Sequence, residues 1–159
     1  MASALRVALR GSNRDRSRPS LRIVAPPLCF AVAVAAYAVG VFSVAGGVVF
    51  VPFDAAALGV VVAVGLAYRR DGLLAAWGTV YAALLGYSAV HYLLGLSGRS
   101  LVERAAAFLS PDGLVFLGVE ALVFGTVAWL VGTLAAVGVD RIRERREPAS
   151  ASSTAREEN

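Results

Sequence analysis

The sequence predicts an all-α integral membrane protein: a four-helix bundle with short loops and one short amphipathic helix on the outer surface. The chain of 159 residues is 58% hydrophobic and 16% charged, with a mean hydropathy of +0.70. Soluble domains are nearer half apolar and a quarter charged. The apolar residues also form long uncharged runs, and the arginines cluster beside them. This pattern excludes a disordered chain and an ordinary soluble enzyme.

A basic segment, residues 1–24, precedes the first predicted span. It contains six of the 15 basic residues, all of which are arginine in this chain. Between Arg22 and Asp54 lie 31 residues without a charge, and about 20 apolar residues suffice for a helix to cross the bilayer. We place the first span at residues 28–46. The arginines are interpreted as a topology signal, with attraction to anionic lipid headgroups as the alternative. Because they adjoin apolar spans, nucleic acid is not an expected partner.

The second predicted span, residues 51–68, is short. Only the 14 residues that end at Tyr68 form an uncharged run, so a crossing helix must also include residues 51–54. Pro52 then lies in its first turn, where a missing N–H is harmless, and Asp54 lies near the helix N-terminus, which favours a carboxylate. The alternative is that this segment is re-entrant or lies in the interface, which leaves three spans.

The distribution of arginine decides between four spans and three. With four spans in residues 25–139, the N-terminal segment, the turn at residues 69–72 and the C-terminal segment share one side. They contain six, two and five arginines, against two on the other side, Arg99 and Arg104. With three spans the split is eight against seven. Arginine-rich segments stay in the cytoplasm, so we expect a multi-pass protein of a prokaryotic cytoplasmic membrane with both termini cytoplasmic.

The third predicted span, residues 73–94, belongs to an uncharged run of 27 residues. After it, Ser100 and Glu103 fit a capping box at a helix N-terminus. Apolar residues then recur at i, i+4 and i+7 from Leu101. This spacing is typical of a short amphipathic helix that lies on a membrane surface.

Ser110 and Pro111 predict the start of the last helix, with serine as the N-cap and proline at the first helical position. The last span covers residues 114–139. The C-terminal segment, residues 140–159, carries five arginines and five acidic residues. We expect the helix to leave the membrane, to stop at Pro148 and to be followed by a disordered remainder.

Small residues alternate at spacings of three and four along the last span, a pattern that allows membrane helices to pack closely. The candidate packing residues are Gly118, Ala121, Gly125, Ala128, Gly132 and Ala135. They predict a close helix contact within one chain, across a homo-oligomer or with a partner membrane protein. The alternative is chance, because ten of the 26 residues in this span are Gly, Ala or Thr.

Three ionisable residues are candidates for an intramembrane polar site: Glu120, His91 and Asp54. Ionisable groups inside a membrane are costly and usually face protein or water. The predicted topology places all three in the outer half of the bundle, where they could converge on an outward-facing pocket. Arg99 or Arg104 could reach down from the outer loop to pair with Glu120. The alternative is that Glu120 and His91 are structural groups satisfied by neighbouring helices.

No metal ion, cofactor or catalytic set is expected. One histidine and scattered carboxylates have no diagnostic ligand spacing, and the glycines lie in apolar spans rather than in a phosphate-binding loop. The single cysteine, Cys29, excludes an intrachain disulfide. We interpret it as a buried apolar side chain, with palmitoylation as the alternative.

We therefore expect a non-enzymatic structural, accessory or interaction protein of the lipid bilayer. The alternative is a small proton- or solute-coupled transporter or channel that acts as an oligomer through Glu120 and His91. A membrane-embedded enzyme is disfavoured because it would need several convergent polar groups, and the spans contain few.

Overall fold

The computed structural model describes residues 7–11, 21–42, 52–96 and 98–157, with side chains as far as Glu144. Regular structure in these ranges is helical throughout, as predicted. The elements are α1 (Leu21–Ala38), α2 (Phe53–Tyr68), α3 (Leu73–Ala89), a π-helical turn that continues α3 (Val90–Leu94), α4 (Leu101–Phe108) and α5 (Pro111–Glu157).

Three helical segments are long and apolar enough to cross a membrane. They are Leu21–Ala38, Leu73–Leu94 and Pro111–Glu144. α2 is apolar but has 16 residues, which extend about 24 Å at 1.5 Å per residue. This length is less than the hydrocarbon thickness of about 30 Å. α2 nevertheless lies alongside the longer helices, because it packs against both α3 and α5.

α3 occupies the centre of the helix assembly, where it contacts α1, α2 and α5. Val80 and Leu84 of α3 are fully buried and pack with Ala63 of α2 and Ala121 of α5. Gly59 allows α2 to approach α3 closely, since a β-carbon at Gly59 would lie 2.9 Å from the Val80 α-carbon. Small residues thus set the spacing of these helices, as is usual in membranes.

α1 ends before the limit of the first predicted span, residues 28–46. Gly40 has a φ of 77°, and its amide donates to the Tyr37 carbonyl while the following amide donates to that of Ala36. These two hydrogen bonds form a Schellman motif around a left-handed residue, a conformation that glycine adopts without strain. The apolar sequence continues past this point, so hydropathy predicts too long a helix. Its predicted continuation beyond Phe42 lies outside the described residues.

α1 also begins earlier than predicted, at Leu21, so Pro26 and Pro27 lie inside the helix. A proline cannot donate a helical hydrogen bond, and for that reason the sequence favours a start after the pair. Packing against the neighbouring helices opposes this preference. Ala25 is buried in a cluster with residues of α2 and α3, and the Pro26 ring lies against Gly78 of α3.

α2 begins at Phe53, so Pro52 is its N-cap and not, as predicted, a residue of its first turn. The Pro52 carbonyl accepts a hydrogen bond from the Ala56 amide at 2.9 Å. Proline has no N–H to satisfy, which suits a position just outside a helix. Asp54 does lie in the first turn, where the helix dipole favours a carboxylate.

α2 ends in a second Schellman motif, and here the left-handed residue is not glycine. Arg70 has a φ of 64°; its amide donates to the Ala67 carbonyl, and the Asp71 amide donates to that of Leu66. The left-handed conformation costs a residue with a β-carbon roughly 1–2 kcal/mol. The Arg70 guanidinium donates to the Asp140 carboxylate at 2.6 Å, so an ion pair ties this turn to α5.

Three arginine-bearing segments meet at one end of the assembly, the Arg70 end, formed by Gly11, Arg70, Gly72 and Asp140. Residues 7–10 form a helical turn. Gly11 then lies against the α2–α3 turn, because a β-carbon at Gly72 would be 2.5 Å from the Gly11 nitrogen. Residues 7–11, the α2–α3 turn and α5 at Asp140 therefore share one end.

α3 and its π-helical continuation cover Leu73–Leu94, the bounds predicted for the third span. α4 has the predicted capping box. The Ser100 hydroxyl accepts from the Glu103 amide at 3.3 Å, and the Ser100 amide donates to the Glu103 carboxylate at 2.9 Å. These reciprocal bonds satisfy two backbone donors that a helix start otherwise leaves without partners.

α5 begins at Pro111, as predicted, and extends to Glu157. It therefore passes through Pro148, where the sequence predicts its end, and continues into the segment expected to be disordered. Proline removes one helical hydrogen bond. The Ala, Arg and Glu residues around it have high helix propensity, which favours continuation.

The buried face of α5 follows the predicted packing residues through the middle of the span and departs from them at both ends. Its buried small residues are Ala121, Gly125, Ala128, Gly132 and Ala136. Ala135 is exposed, and Gly118 is half-buried with open space around its β-carbon position. Because the predicted spacing averages 3.5 residues per turn and a straight helix has 3.6, the buried face shifts by one residue.

The packing partners of this face lie within the same chain. A β-carbon at Gly125 would lie 2.7 Å from Trp77 of α3, and one at Gly132 would overlap the Val64 carbonyl oxygen of α2. The Trp77 indole also donates to the Thr126 hydroxyl at 3.0 Å. Small residues of α5 thus bring it against α2 and α3.

Candidate functional site

Glu120 lies in α5 and faces the interior of the helix assembly. It is 7% exposed, and within the described part of the chain neither carboxyl oxygen has a hydrogen-bond partner. A buried polar group without a partner costs about 1–3 kcal/mol, and an ionised carboxylate costs more. An ionisable residue buried among apolar helices is therefore a candidate for a functional site.

The predicted pairing of Glu120 with an arginine of the outer loop does not form. Arg104 donates instead to the backbone carbonyls of Leu93 and Arg99, at 3.1 and 3.0 Å. The Leu93 carbonyl lies at the C-terminal end of the α3 extension, where the helix dipole favours a cation. Arg104 therefore joins α4 to the π-helical turn.

His91 lies in the π-helical turn Val90–Leu94. The Gly95 amide donates to the Val90 carbonyl, five residues earlier, at 3.0 Å. The His91 ring stacks on that of Tyr87, with centroids 5.8 Å apart, and meets Tyr92 edge-on at 5.0 Å. Single π-helical turns are rare and are frequent at functional sites.

His91 is one member of a row of rings that joins α1 to α3. Tyr87 contacts Tyr37 of α1 at a centroid distance of 5.1 Å, and Tyr37 contacts Phe42 at the same distance. We call these five residues, Phe42, Tyr37, Tyr87, His91 and Tyr92, the aromatic row. The end of the assembly that contains them is the His91 end.

Asp54 lies beside the aromatic row. The first turn of α2 places Ala55 in a buried cluster with Tyr37 and Val90. The Asp54 carboxylate is close enough to the Tyr37 hydroxyl to interact with it electrostatically. Asp54 and His91 therefore share one end of the molecule, with the rings of the row between them.

A cavity of about 290 Å³, the His91 cleft, opens beside this row. Its walls come from α3, the π-helical turn, α4, the start of α5 and Pro52, the N-cap of α2. Besides His91 the lining includes four aromatic residues and two serines: Tyr87, Tyr92, Phe108, Phe116, Ser88 and Ser110. Small-ligand sites are typically apolar clefts with a few polar groups, and the volume is at the lower limit of their usual size.

Leu117 and Glu120 lie three residues apart on the buried face of α5. Leu117 lines the cleft. At 1.5 Å per residue, the Glu120 backbone is about 4.5 Å further from the His91 end. The Glu120 α-carbon is therefore about one helical turn from the part of the cleft that Leu117 lines.

The three candidate residues thus occupy one half of the molecule without converging on a single pocket. His91 lines the cleft, Asp54 lies beside the aromatic row, and Glu120 lies one turn deeper. Sequence reasoning did not identify Tyr37 or Leu117. The buried residues of α1 recur every four positions, and Tyr37 follows this spacing. No pattern in the sequence distinguishes Leu117 from the other leucines of α5.

The chemistry available here is proton exchange and the binding of a small polar or aromatic solute. Imidazole, phenol and carboxyl groups each accept or donate a proton. Among the described residues, no group of three or more His, Cys, Asp or Glu could hold a metal ion. Comparisons with protein-family models, curated proteins and solved structures find no match. The function is therefore inferred from these residues alone.

Proposed function

We propose that this chain is a small multi-pass membrane protein that binds and passes a proton or a small solute through Glu120 and His91. The observation that carries the proposal is the Glu120 carboxyl, buried without a partner about one turn below the His91 cleft. In this proposal four helices cross the bilayer, the His91 end faces outward and both termini are cytoplasmic.

Contacts at the Arg70 end support the four crossings. Residues 7–11, the α2–α3 turn and α5 at Asp140 lie together there. A four-span topology requires these parts of the chain to be on the same side of the membrane. Thirteen of the 15 arginines belong to them and to the sequence that adjoins them, as the positive-inside rule favours. α2 packs against both α3 and α5. The side chains of Arg69 and Arg70 can reach the membrane–water interface from the end of α2, which compensates for the short apolar length of this helix.

The cost of burying Glu120 supports a role in transport rather than in packing. A structural carboxyl lowers its cost by accepting hydrogen bonds, and Glu120 accepts none among the described residues. Ionisable residues that persist inside membranes line ion and proton pathways more often than they support structure. We therefore assign Glu120 the role of a group that takes up a proton or contacts a solute transiently.

The remaining residues have the following roles in this proposal. His91 and the serines of the cleft provide the first polar contacts for an entering proton or solute. Between Glu120 and Asp140, α5 has no ionisable residue. In this proposal the chain acts as an oligomer, and the interface between copies encloses the rest of the path.

A non-enzymatic accessory or interaction protein is the second candidate. The observation that favours it is the outward side of α5, where large apolar side chains are exposed along several turns. They include Val115, Val119, Leu122, Val123, Leu130 and Leu134. A partner membrane helix could pack on this face, and Glu120 would then be a static neutral side chain.

A flux measurement separates the two candidates. The full chain is reconstituted into liposomes that enclose a pH-sensitive dye, and dye response is followed under an imposed pH gradient and with a panel of small solutes. Wild type is compared with Glu120→Gln and with Glu144→Gln, a matched control on an exposed residue of the same helix.

Wild type and Glu144→Gln are expected to show the same flux, and Glu120→Gln at least a tenfold lower one. Flux that survives in Glu120→Gln contradicts the role of Glu120. A wild type no faster than empty liposomes for every solute contradicts transport and leaves the accessory role.

A further inference from the structure

A groove runs along the outside of the helix assembly between α1 and α2. These helices pack less closely on each other than either does on α3, and the groove encloses about 340 Å³. Its walls are aliphatic, with Leu28 and Val32 of α1 facing Leu58 and Val62 of α2. Gly65 widens it, since nothing lies within 4 Å of the position that a β-carbon would take there.

The groove has the length of one membrane leaflet. On α2 it is lined from Leu58 to Arg69, and on the antiparallel α1 from Val32 back to Leu21. Each stretch covers 11 residue steps, or about 17 Å. One leaflet contributes about half of the 30 Å hydrocarbon core, or about 15 Å.

The groove is basic where it reaches the Arg70 end. Arg69 lines it there, and Arg22, near the start of α1, donates to the Arg10 carbonyl at 3.1 Å. The neighbouring carboxylate is that of Asp71. Burial raises the pKa of the Asp71 carboxyl, and Arg69 and Arg22 oppose that shift. Arg69 therefore places a cation at the mouth of the groove.

We propose that this groove binds one acyl chain of an anionic phospholipid, with the lipid phosphate at Arg69. The aliphatic walls accept the chain, the length matches one leaflet, and the cationic mouth lies where the headgroup would be. The lipid would belong to the leaflet at the Arg70 end. This proposal rests on the four crossings of the proposed function, but it uses no residue of the His91 end, so the flux measurement and the lipid-binding measurement can fail independently.

Native mass spectrometry of the full chain, released from detergent with added lipid, tests the proposal. The probes are phosphatidylglycerol and phosphatidylcholine with identical acyl chains. Gly65→Phe fills the groove from a position with free space, and Val61→Phe adds the same ring at a 70% exposed residue of α2 outside the groove. Arg69→Gln removes the cation, and inorganic phosphate serves as a competitor without an acyl chain.

Wild type and Val61→Phe are expected to bind one phosphatidylglycerol about five-fold more tightly than phosphatidylcholine, from about 1 kcal/mol per arginine near an anionic headgroup. Gly65→Phe should weaken binding of both lipids at least tenfold while its melting temperature in detergent stays that of wild type. Arg69→Gln should abolish the preference. Three results on lipid binding would overturn the proposal: unchanged binding in Gly65→Phe, an equal loss of binding in Val61→Phe, or displacement of the lipid by inorganic phosphate. The proposal would also be overturned if the wild type formed a dimer instead of a lipid adduct and Gly65→Phe dissociated that dimer.

Discussion

Glu120 and Thr126 lie on the same helix, and their polar atoms are satisfied to very different degrees. The Thr126 hydroxyl donates to the Leu122 carbonyl at 2.6 Å and accepts from the Trp77 indole at 3.0 Å. Such local and interhelical hydrogen bonds make threonine inexpensive inside a membrane. Glu120 has neither kind of bond among the described residues, so its presence lowers the stability of the fold.

Replacement of Glu120 by an aliphatic side chain of similar size should therefore stabilise the protein. We expect Glu120→Leu to raise the free energy of unfolding by about 1–2 kcal/mol, the desolvation cost of a buried polar group without a partner. Thermal unfolding in detergent, followed by tryptophan fluorescence, measures the change. Thr126→Val is the matched control and should lower stability by about 1 kcal/mol, because the Trp77 indole loses its acceptor. A less stable Glu120→Leu would show that Glu120 has a partner.

The contact between α5 and α2 depends on the absence of one side chain. A β-carbon at Gly132 would overlap the Val64 carbonyl oxygen and lie 2.7 Å from the Ala67 β-carbon. The carbonyl belongs to the α2 backbone and cannot move aside alone. The two helices must therefore separate to admit even a methyl group.

Gly132→Ala should accordingly destabilise the fold by about 1–3 kcal/mol, the usual cost of overpacking a close contact. Gly138 lies on the same helix with no atom within 4 Å of its β-carbon position. Gly138→Ala should instead be neutral or add up to about 1 kcal/mol through helix propensity. Thermal unfolding of the two variants in the same detergent compares them, and equal effects would contradict the close approach of α2 and α5.

The capping box makes the start of α4 sensitive to pH. The Ser100 amide, which donates to the Glu103 carboxylate at 2.9 Å, holds the pKa of that carboxyl below its ordinary value. A lowered folded pKa means that the cap is fully present above the pKa of the unfolded chain. It is lost as the pH falls through the folded pKa, when the carboxyl is protonated.

We expect the first turn of α4 to loosen as the pH falls below the ordinary range of a glutamic acid. The Ser100 amide chemical shift, followed by NMR across an acid titration, reports the loss of the bond. Glu103→Gln retains an acceptor oxygen that does not titrate. A variant with the same pH dependence as wild type would show that another group is responsible.

The sequence correctly predicted those helix starts that are determined by residues close together in the chain. The Ser100–Glu103 box and Pro111 mark helix starts within four residues, and both were predicted correctly. The limits of α1 were not predicted, because the packing of Ala25 and Pro26 against α3 outweighs the cost of an internal proline. Gly40 was a readable stop signal that a continuing apolar sequence obscured.

At the scale of the whole molecule, the half of the helix assembly in which a residue lies could be predicted, and lateral proximity could not. Hydropathy and arginine distribution placed Asp54, His91 and Glu120 in the same half of the bundle. Which side chains meet depends on the rotation of each helix, which small residues such as Gly59 set through contacts distant in sequence. Residues from several separate elements line the His91 cleft, and no single stretch of sequence contains that information.

The arrangement of the two ends predicts which residues a membrane-impermeant maleimide reaches in intact cells. Cys29, the single cysteine, is buried, so the wild-type chain should not react and serves as the control. Arg99→Cys, in the exposed loop before α4, should be labelled from outside. Arg70→Cys and Arg143→Cys, both exposed at the opposite end, should be labelled only after the cells are permeabilised.

Arg70→Cys also distinguishes four crossings from three. If α2 does not cross the membrane, the α2–α3 turn lies on the outer side and the loop before α4 on the inner side. Arg70→Cys would then react in intact cells, and Arg99→Cys would need permeabilisation. That reversed pattern would place the His91 cleft on the cytoplasmic side. The groove between α1 and α2 would then lack a second transmembrane wall, because α2 would not cross the membrane, and the proposed lipid site would be lost.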